Sequence, residues 1–370
     1  MKEIVSAIEG AAAVSLDAVL PQGISPDKVL VFDIETTGLS REHDTVYLIG
    51  CAYLAGGQWM LKQFLAEKEV EERVVLSAFW NFAGPYEAFL TYNGDRFDLP
   101  FIRERNLRYG INDILRGRES IDLYKHILPM KKLLSLPDAR LKTIEQFLGI
   151  QRKDTLGGRE LIDVFKAYAV SPDEEKEKTI LLHNADDLKG LILTLPVLGY
   201  AAFTDAIDDI RVIKAQARAY DDLEGEKHWE LYMELSLPFS VPAPFKCNRD
   251  ECYLRAFADT AVLRVPLVIG ELKFFYAGWR DYYYLPEEDT ALHKSVAEFV
   301  DKLHRVKATP ATCYTRKESR FLKQWAMLFE PVFRTSYEDN TLYFEITDEL
   351  KQSREDLSLY AAHVIHHIIS

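Results

Sequence analysis

An apolar run that closes on two acids and a turn constrains this chain more than any other stretch: V-L-V-F-D-I-E-T-T-G-L-S, residues 29–40. On a strand, alternate side chains share a face, so Asp33 and Glu35 project together while Phe32 and Ile34 enter the core behind them. Two carboxylates placed side by side repel, and a divalent cation held by hard oxygen ligands relieves that repulsion. Thr36, Thr37 and Gly38 are small or able to turn, so the strand ends in a loop beside the acids.

Two later strings carry acids in equally specific settings. In T-Y-N-G-D-R-F-D-L-P-F-I, residues 91–102, Asn93 and Gly94 turn the chain, Phe97 anchors it, and Asp98 stands at the capping position of a helix opened by Pro100. A carboxylate there can still reach a metal. In H-N-A-D-D-L-K-G-L, residues 183–191 of a long helix, His183 and Asp187 are four apart and share one face. Asp186 is expected to point about a quarter-turn away, toward water.

In these three strings the chain resembles the DEDD exonucleases of the ribonuclease H-like fold. D-I-E-T-T-G-L is similar to their first motif, and N-x-x-x-F-D to the second motif of the proofreading domains of B-family DNA polymerases. H-N-x-x-D-x-x-x-L resembles the Y-N-x-x-D pattern of the YprB-type ribonuclease H-like family. DEDD relatives with histidine usually place it five before the last acid, and those with tyrosine four before. Here a histidine stands at the tyrosine spacing.

The resemblance covers residues 28–196 and implies an α/β domain, a ribonuclease H-like mixed sheet flanked by helices. It implies that Asp33, Glu35, Asp98 and Asp187 hold two Mg²⁺ or Mn²⁺ ions, with His183 as general base. Thr36, Gly38 and Leu39 would hold a terminal nucleotide, Leu39 against its base, and Asn93 is a further substrate-side candidate. The activity implied is 3′→5′ hydrolysis of phosphodiesters at a single-stranded end of DNA or RNA. An endonuclease of the same fold needs the same acids, and so does a nucleic-acid-binding module that has kept the cage without turnover.

Periodicity predicts an N-terminal helical extension over residues 1–27, with its helix at 4–20. The first domain, 28–200, should hold strands at 29–34, 46–54, 59–65, 89–92 and 120–122, the second and third forming a hairpin about Gly56-Gly57. Helices are expected at 69–82, 100–108, 123–128, 141–148, 158–168 and 172–195. An accessory α+β domain, 201–370, should contain strands at 228–235, 262–269, 272–276, 282–285 and 342–346, and helices at 290–305 and 350–369.

A net charge of −13 argues against a surface made for wrapping nucleic acid. Residues 96–153 depart from it, with 13 Lys and Arg against 7 Asp and Glu. That segment is a candidate phosphate-binding field, with Lys142 and Arg152 inside it. Asp122 is read chiefly as a helix cap and secondarily as an accessory acid. The aromatic run K-F-F-Y-A-G-W-R-D-Y-Y-Y-L-P, residues 273–286, is read as hairpin core before base-stacking surface. Cys51, Cys247, Cys252 and Cys313 are too scattered for a disulfide framework or a zinc hook. The acidic start is unlike a leader peptide, and no apolar stretch approaches bilayer length, so a cytoplasmic location without membrane contact is expected.

Overall fold

The computed structural model describes residues 1–11, 14–112, 117–222 and 224–370, with the backbone alone at Ala202. Contacts divide the chain into two units, 1–132 with 136–201, and 133–135 with 202–370.

Six strands build the first unit: β1 (Lys2–Ala7), β2 (Val29–Thr36), β3 (Val46–Ala55), β4 (Gln58–Leu65), β5 (Ala88–Thr91) and β6 (Glu119–Asp122). They lie in the order β1-β4-β3-β2-β5-β6, antiparallel from β1 to β2 and parallel from β2 to β6. This is the mixed ribonuclease H-like sheet. Helices α1 (Glu72–Ala83), α2 (Asp98–Tyr109), α3 (Leu123–Ile127), α4 (Leu141–Leu148), α5 (Gly158–Val170) and α6 (Glu174–Thr194) flank it.

Because β2 is central, Val29 to Phe32 are all buried, and partial exposure begins only at Asp33 and Glu35. Phe32 packs on Phe79 of α1, with ring centres 5.3 Å apart. The β3–β4 hairpin turns at Gly56 and Gly57, both at positive φ, the geometry that a two-residue hairpin turn requires. On β3, the Tyr47 ring stacks on Phe165 of α5 at 3.9 Å, so α5 and α6 seat against the strand that neighbours the acids.

The helix expected at residues 4–20 does not form. Lys2–Ala7 is instead the edge strand β1, paired with β4 in the register Ile4↔Gln63. Its terminal ammonium contacts Glu67 and Glu71 at 3.1 and 2.8 Å, and Lys2 reaches Glu177 at 2.5 Å. These contacts select the edge of β4 over a local helix. Ala12 and Ala13 of that expected helix lie outside the described residues.

One helical stretch, 174–205, is long and apolar enough to cross a membrane by length and composition, against the expectation from sequence. However, 59% of its most apolar window is buried inside the protein, as in a core helix.

The second unit is sheet-rich. β7 (Arg211–Asp221), β8 (Lys227–Ser236), β9 (Phe245–Arg249), β10 (Cys252–Phe257) and β11 (Thr260–Phe275) enter one eight-stranded sheet. The 16-residue β11 is its spine, pairing with β8, β10 and the later strand Tyr314–Gln324. β12 (Tyr282–Leu285), β13 (Thr290–His293) and β14 (Val306–Lys307) form a small separate sheet. β15 (Tyr314–Gln324), β16 (Val332–Phe333) and β17 (Leu342–Glu345) complete the large one.

The helix expected at 290–305 is mostly absent: Thr290–His293 pairs with β12, Lys294–Ala297 makes a single α-helical turn and Lys302–His304 a 3-10 turn. Val296, Phe299 and Leu303, the would-be apolar stripe, are exposed. The closing helix is interrupted at Ser353, whose hydroxyl accepts from the Asp356 N–H and caps Arg354–Ile369. The four cysteines are buried free thiols.

Candidate metal centre

β2 sets Asp33 and Glu35 at the sheet centre, and the residue facing Asp33 across the ladder is Gly50. A Cβ at Gly50 would lie 1.9 Å from Asn184 Oδ1 and 2.6 Å from Leu188 Cδ1. The missing side chain is therefore what lets α6 settle onto β3. Asn184, fully buried, donates from Nδ2 to Asp33 Oδ2 at 3.0 Å and accepts from Gln63 Nε2 at 3.0 Å. Gly50→Ala is expected to lower stability by about 2–3 kcal/mol, since overpacking must push α6 outward. Denaturant unfolding with wild-type stability would show that α6 does not depend on this gap.

Asp98 comes from the start of α2. It is the first helical residue rather than the cap, which is Phe97, so the expectation of a capping role is corrected. Its Oδ1 instead accepts the Ile34 N–H at 3.2 Å, which ties the second motif to the strand between Asp33 and Glu35. Asp122 holds that motif from below: it caps α3 through the Tyr124 N–H at 3.1 Å and accepts the Asn93 N–H at 2.7 Å.

From α6, His183 and Asp187 complete the cluster. Glu35, His183 and Asp187 each present a ligand atom, and these atoms all lie within 4.8 Å of one another. His183 Nε2 is 3.8 Å from Glu35 Oε1 and 3.5 Å from Asp187 Oδ2. Its other nitrogen, Nδ1, lies 2.8 Å from Asp154 Oδ2. An ionised carboxylate only accepts, so Nδ1 carries the hydrogen and the Nε2 lone pair faces the acids.

Asp154, buried in the turn between α4 and α5, is a site residue that sequence reasoning missed. So is Asn184, present in the third string without a role. The segment Q-R-K-D-T, residues 151–155, gave one signal: a charged cluster between helices that proves to be internal.

Asp186 does not face water as expected. Its Oδ2 accepts the N–H groups of Lys153 and Asp154, both at 2.7 Å, and so anchors the turn that carries Asp154. Arg152 reaches Asp187 Oδ1 at 2.5 Å and Glu145 Oε1 at 3.0 Å. Glu145 packs where a Cβ at Gly190 would be, 1.7 Å away, so a second bare position on α6 admits this ion pair.

The electrostatics separate two groups of acids. Burial pushes Asp33 well up, and the charges of Asp98, Glu35 and Asp187 push it further. Glu35 is raised well above the usual range by burial and then by Asp187, Asp98 and Asp154, with Arg152 opposing. Burial lifts Asp98 to about 7, against the Ile34 hydrogen bond. Asp187, by contrast, has the Arg152 guanidinium on one oxygen. Among the described residues, no Lys or Arg lies within ion-pair distance of Asp33, Glu35 or Asp98.

Three enclosed acids without a cation, beside a fourth, make a hard-oxygen donor set that fits Mg²⁺ or Mn²⁺. The buried Tyr47 hydroxyl lacks a hydrogen-bond partner among the described residues, and the charges of Glu35 and Asp33 reinforce burial in keeping it protonated.

A cleft of about 470 Å³ opens beside Glu35, lined by Thr36, Gly38 and Leu39 with Phe97, Arg159 and Ile162 among its other walls. Thr36 Oγ1 donates to the Gly38 carbonyl at 2.7 Å, and Leu39 is 83% exposed, so its side chain is free to cover a planar group. Asn93 is not among the lining residues. It sits at φ 62° in the turn before α2.

Part of the expected basic field is spent on the protein's own groups, while Arg96, Arg103, Arg108, Lys125, Lys132, Arg140, Lys142 and Lys153 are exposed. Arg105 is buried on Glu72, Arg118 donates to the carbonyls of Ala83 and Gly84, Lys142 donates to Leu156, and Arg152 holds Asp187 and Glu145. Arg116 of that segment lies outside the described residues. The cation facing the cleft is Arg159, which the segment did not include.

Residues 30–195 match the family model of the RNase H superfamily. No curated protein matches the chain. Among solved structures, the family B DNA polymerase of the hyperthermophilic archaeon Pyrobaculum calidifontis is 16% identical over 67% of this chain and 34% of its own, at a TM-score of 0.38. Zinc-bound E. coli ExoI with single-stranded DNA is 15% identical over 56% of this chain and 54% of its own, at 0.28. E. coli Exonuclease I with a dT13 oligonucleotide is 14% identical over the same shares, at 0.32.

Proposed function

We propose that the first unit, whose residues 30–195 form an RNase H-superfamily domain, is a metal-dependent nuclease that removes nucleotides from a single-stranded 3′ end of DNA or RNA. The observation that carries this is the gathering of three buried carboxyls, Asp33, Glu35 and Asp98, all raised first by burial and then by neighbouring carboxylates, with His183 beside the Thr36–Leu39 cleft.

Asp33, Glu35, Asp98 and Asp187 would hold two Mg²⁺ or Mn²⁺ ions, which when bound activate the attacking water and stabilise the leaving oxygen. The chain's own groups do the rest. Asn184 holds the Asp33 carboxylate in place, and the Ile34 N–H holds that of Asp98. Asp154 holds His183 in the tautomer whose Nε2 can accept a proton on the cage side. Thr36, Gly38 and Leu39 shape the pocket for the terminal nucleotide, and Arg159 gives that pocket a phosphate-sized charge.

The test is incubation of 3′- and 5′-labelled single-stranded DNA and RNA with the protein in Mn²⁺, Mg²⁺ or chelator. Mononucleotides released from the 3′ end only when metal is present are expected. Internal fragments would mark an endonuclease, and bound but uncut strands a binding module; either result overturns the exonuclease reading.

A further inference from the structure

The second unit contains a cavity of about 860 Å³, larger than the cleft beside Glu35. Phe274, Phe275 and Tyr276 at the end of β11 form one wall, with Trp279 in the turn beyond and Tyr337 opposite. The run from Lys273 to Pro286 is thus only partly core. Tyr276 stacks inward on Tyr282 at 4.6 Å, while Phe275 stands edge-on to Tyr337 at 5.6 Å. Tyr337 is 45% exposed, which leaves ring surface open to solvent at the rim.

Cations gather at these rings. Arg334 lines the cavity; just outside its lining, the Arg280 guanidinium lies 4.4 Å over the Trp279 ring, and the Lys273 ammonium lies 4.1 Å over that of Tyr314, which stands 5.3 Å from Phe275. Among the described residues, none of the three has a carboxylate within ion-pair distance, unlike Arg211, Arg218, Arg264 and Arg316 of the same unit. Glu330 is the one acid in the wall. In a chain of net charge −13, unpaired cations around an aromatic cavity complement a ligand that is anionic along its length and planar at intervals.

We propose that this cavity binds unpaired bases of a single-stranded nucleic acid, which stack on Trp279 and Tyr337 while Arg334 meets the backbone phosphate. The ligand class rests on the nuclease reading of the first unit. A proline-rich peptide also suits aromatic grooves, but it has no use for three unpaired cations.

The experiment uses full-length, metal-free protein carrying Asp33→Asn, so that strands survive, and follows the anisotropy of a labelled oligothymidylate and of an abasic strand of equal length. Tyr337→Ser is expected to weaken oligothymidylate binding roughly tenfold and leave abasic binding unchanged, and Tyr337→Trp to restore it. Arg334→Gln should weaken both strands and flatten the salt dependence.

Unchanged oligothymidylate affinity in both Tyr337→Ser and Arg334→Gln overturns the proposal. So does Tyr337-dependent binding of a proline-rich peptide without binding of the strand. If the wild type releases no nucleotides yet binding stays Tyr337-dependent, the nuclease reading fails alone. If it cleaves and these variants bind normally, the cavity proposal fails alone.

Discussion

Asp33→Asn should abolish cleavage, by about 10³-fold or more, and at the same time make the metal-free protein harder to unfold. The two effects share a cause. Asp33 lies among three other carboxylates, and burial with their charges raises its proton affinity well above the ordinary value. Asparagine keeps an oxygen for the Asn184 amide, so the hydrogen bond survives while one repelling charge disappears. A protein that stabilises only when metal binds should then gain less from Mn²⁺, because stabilisation by a ligand follows its affinity for the folded state. Thermal melts in chelator and in Mn²⁺ check this. A variant that melts lower in chelator and gains as much from Mn²⁺ as the wild type would remove Asp33 from the cage.

Burial of these acids, reinforced by their neighbours' charges, sets a pH dependence with a definite sign. Asp98 holds its proton up to about 7 in the folded protein, against about 3.9 in an unfolded chain. Its contribution to stability is therefore complete below about pH 4 and is lost as pH rises through 7, a change on the order of 4 kcal/mol. Asp33 and Glu35 act in the same direction. Metal-free protein should weaken between pH 4 and 7 relative to Asp98→Asn, and the gain from Mn²⁺ should grow over that window. Parallel stability curves for wild type and Asp98→Asn would contradict the assignment.

The four acids proposed to hold metal stood out in the sequence because each sits in a local pattern with its own physical meaning. Asp33 and Glu35 share a strand face, Asp98 stands two residues before a proline at the start of a helix, and Asp187 lies one turn after His183. The β3–β4 hairpin followed from the apolar runs on either side of Gly56-Gly57, whereas the mixed sheet was implied by the family resemblance. What stayed hidden depends on partners far along the chain. Asp154 orients His183 across 29 residues and Asn184 meets Asp33 across 151, and neither contact leaves a periodic trace. Lys2–Ala7 was misread because Ile4 and Ile8 mimic helical spacing, whereas the free edge of β4 decides its conformation. Arg152 read as a phosphate ligand because nothing local reveals Glu145 and Asp187 on either side of it.

His183→Ala should slow cleavage by roughly 10²- to 10⁴-fold, the usual contribution of a positioned base, while Asp154→Asn should slow it by roughly 10- to 100-fold. The difference follows from what each residue does. Removing the imidazole deletes the acceptor, but replacing Asp154 leaves it present and loosens its tautomer, because an amide can offer N–H as well as oxygen to Nδ1. The cluster allows a second role, since Nε2 lies near enough to Glu35 and Asp187 to ligate a cation with them. Metal titration separates the two. A base leaves Mn²⁺ affinity unchanged in His183→Ala while the rate falls, whereas a ligand lowers Mn²⁺ affinity in step with rate. His183→Tyr should recover part of the activity, because a phenol at this helical position reaches toward the same acids. Near wild-type cleavage by His183→Ala, with an unchanged pH profile, would leave Asp154 and His183 as a structural pair that only closes the gap between α6 and the turn after α4.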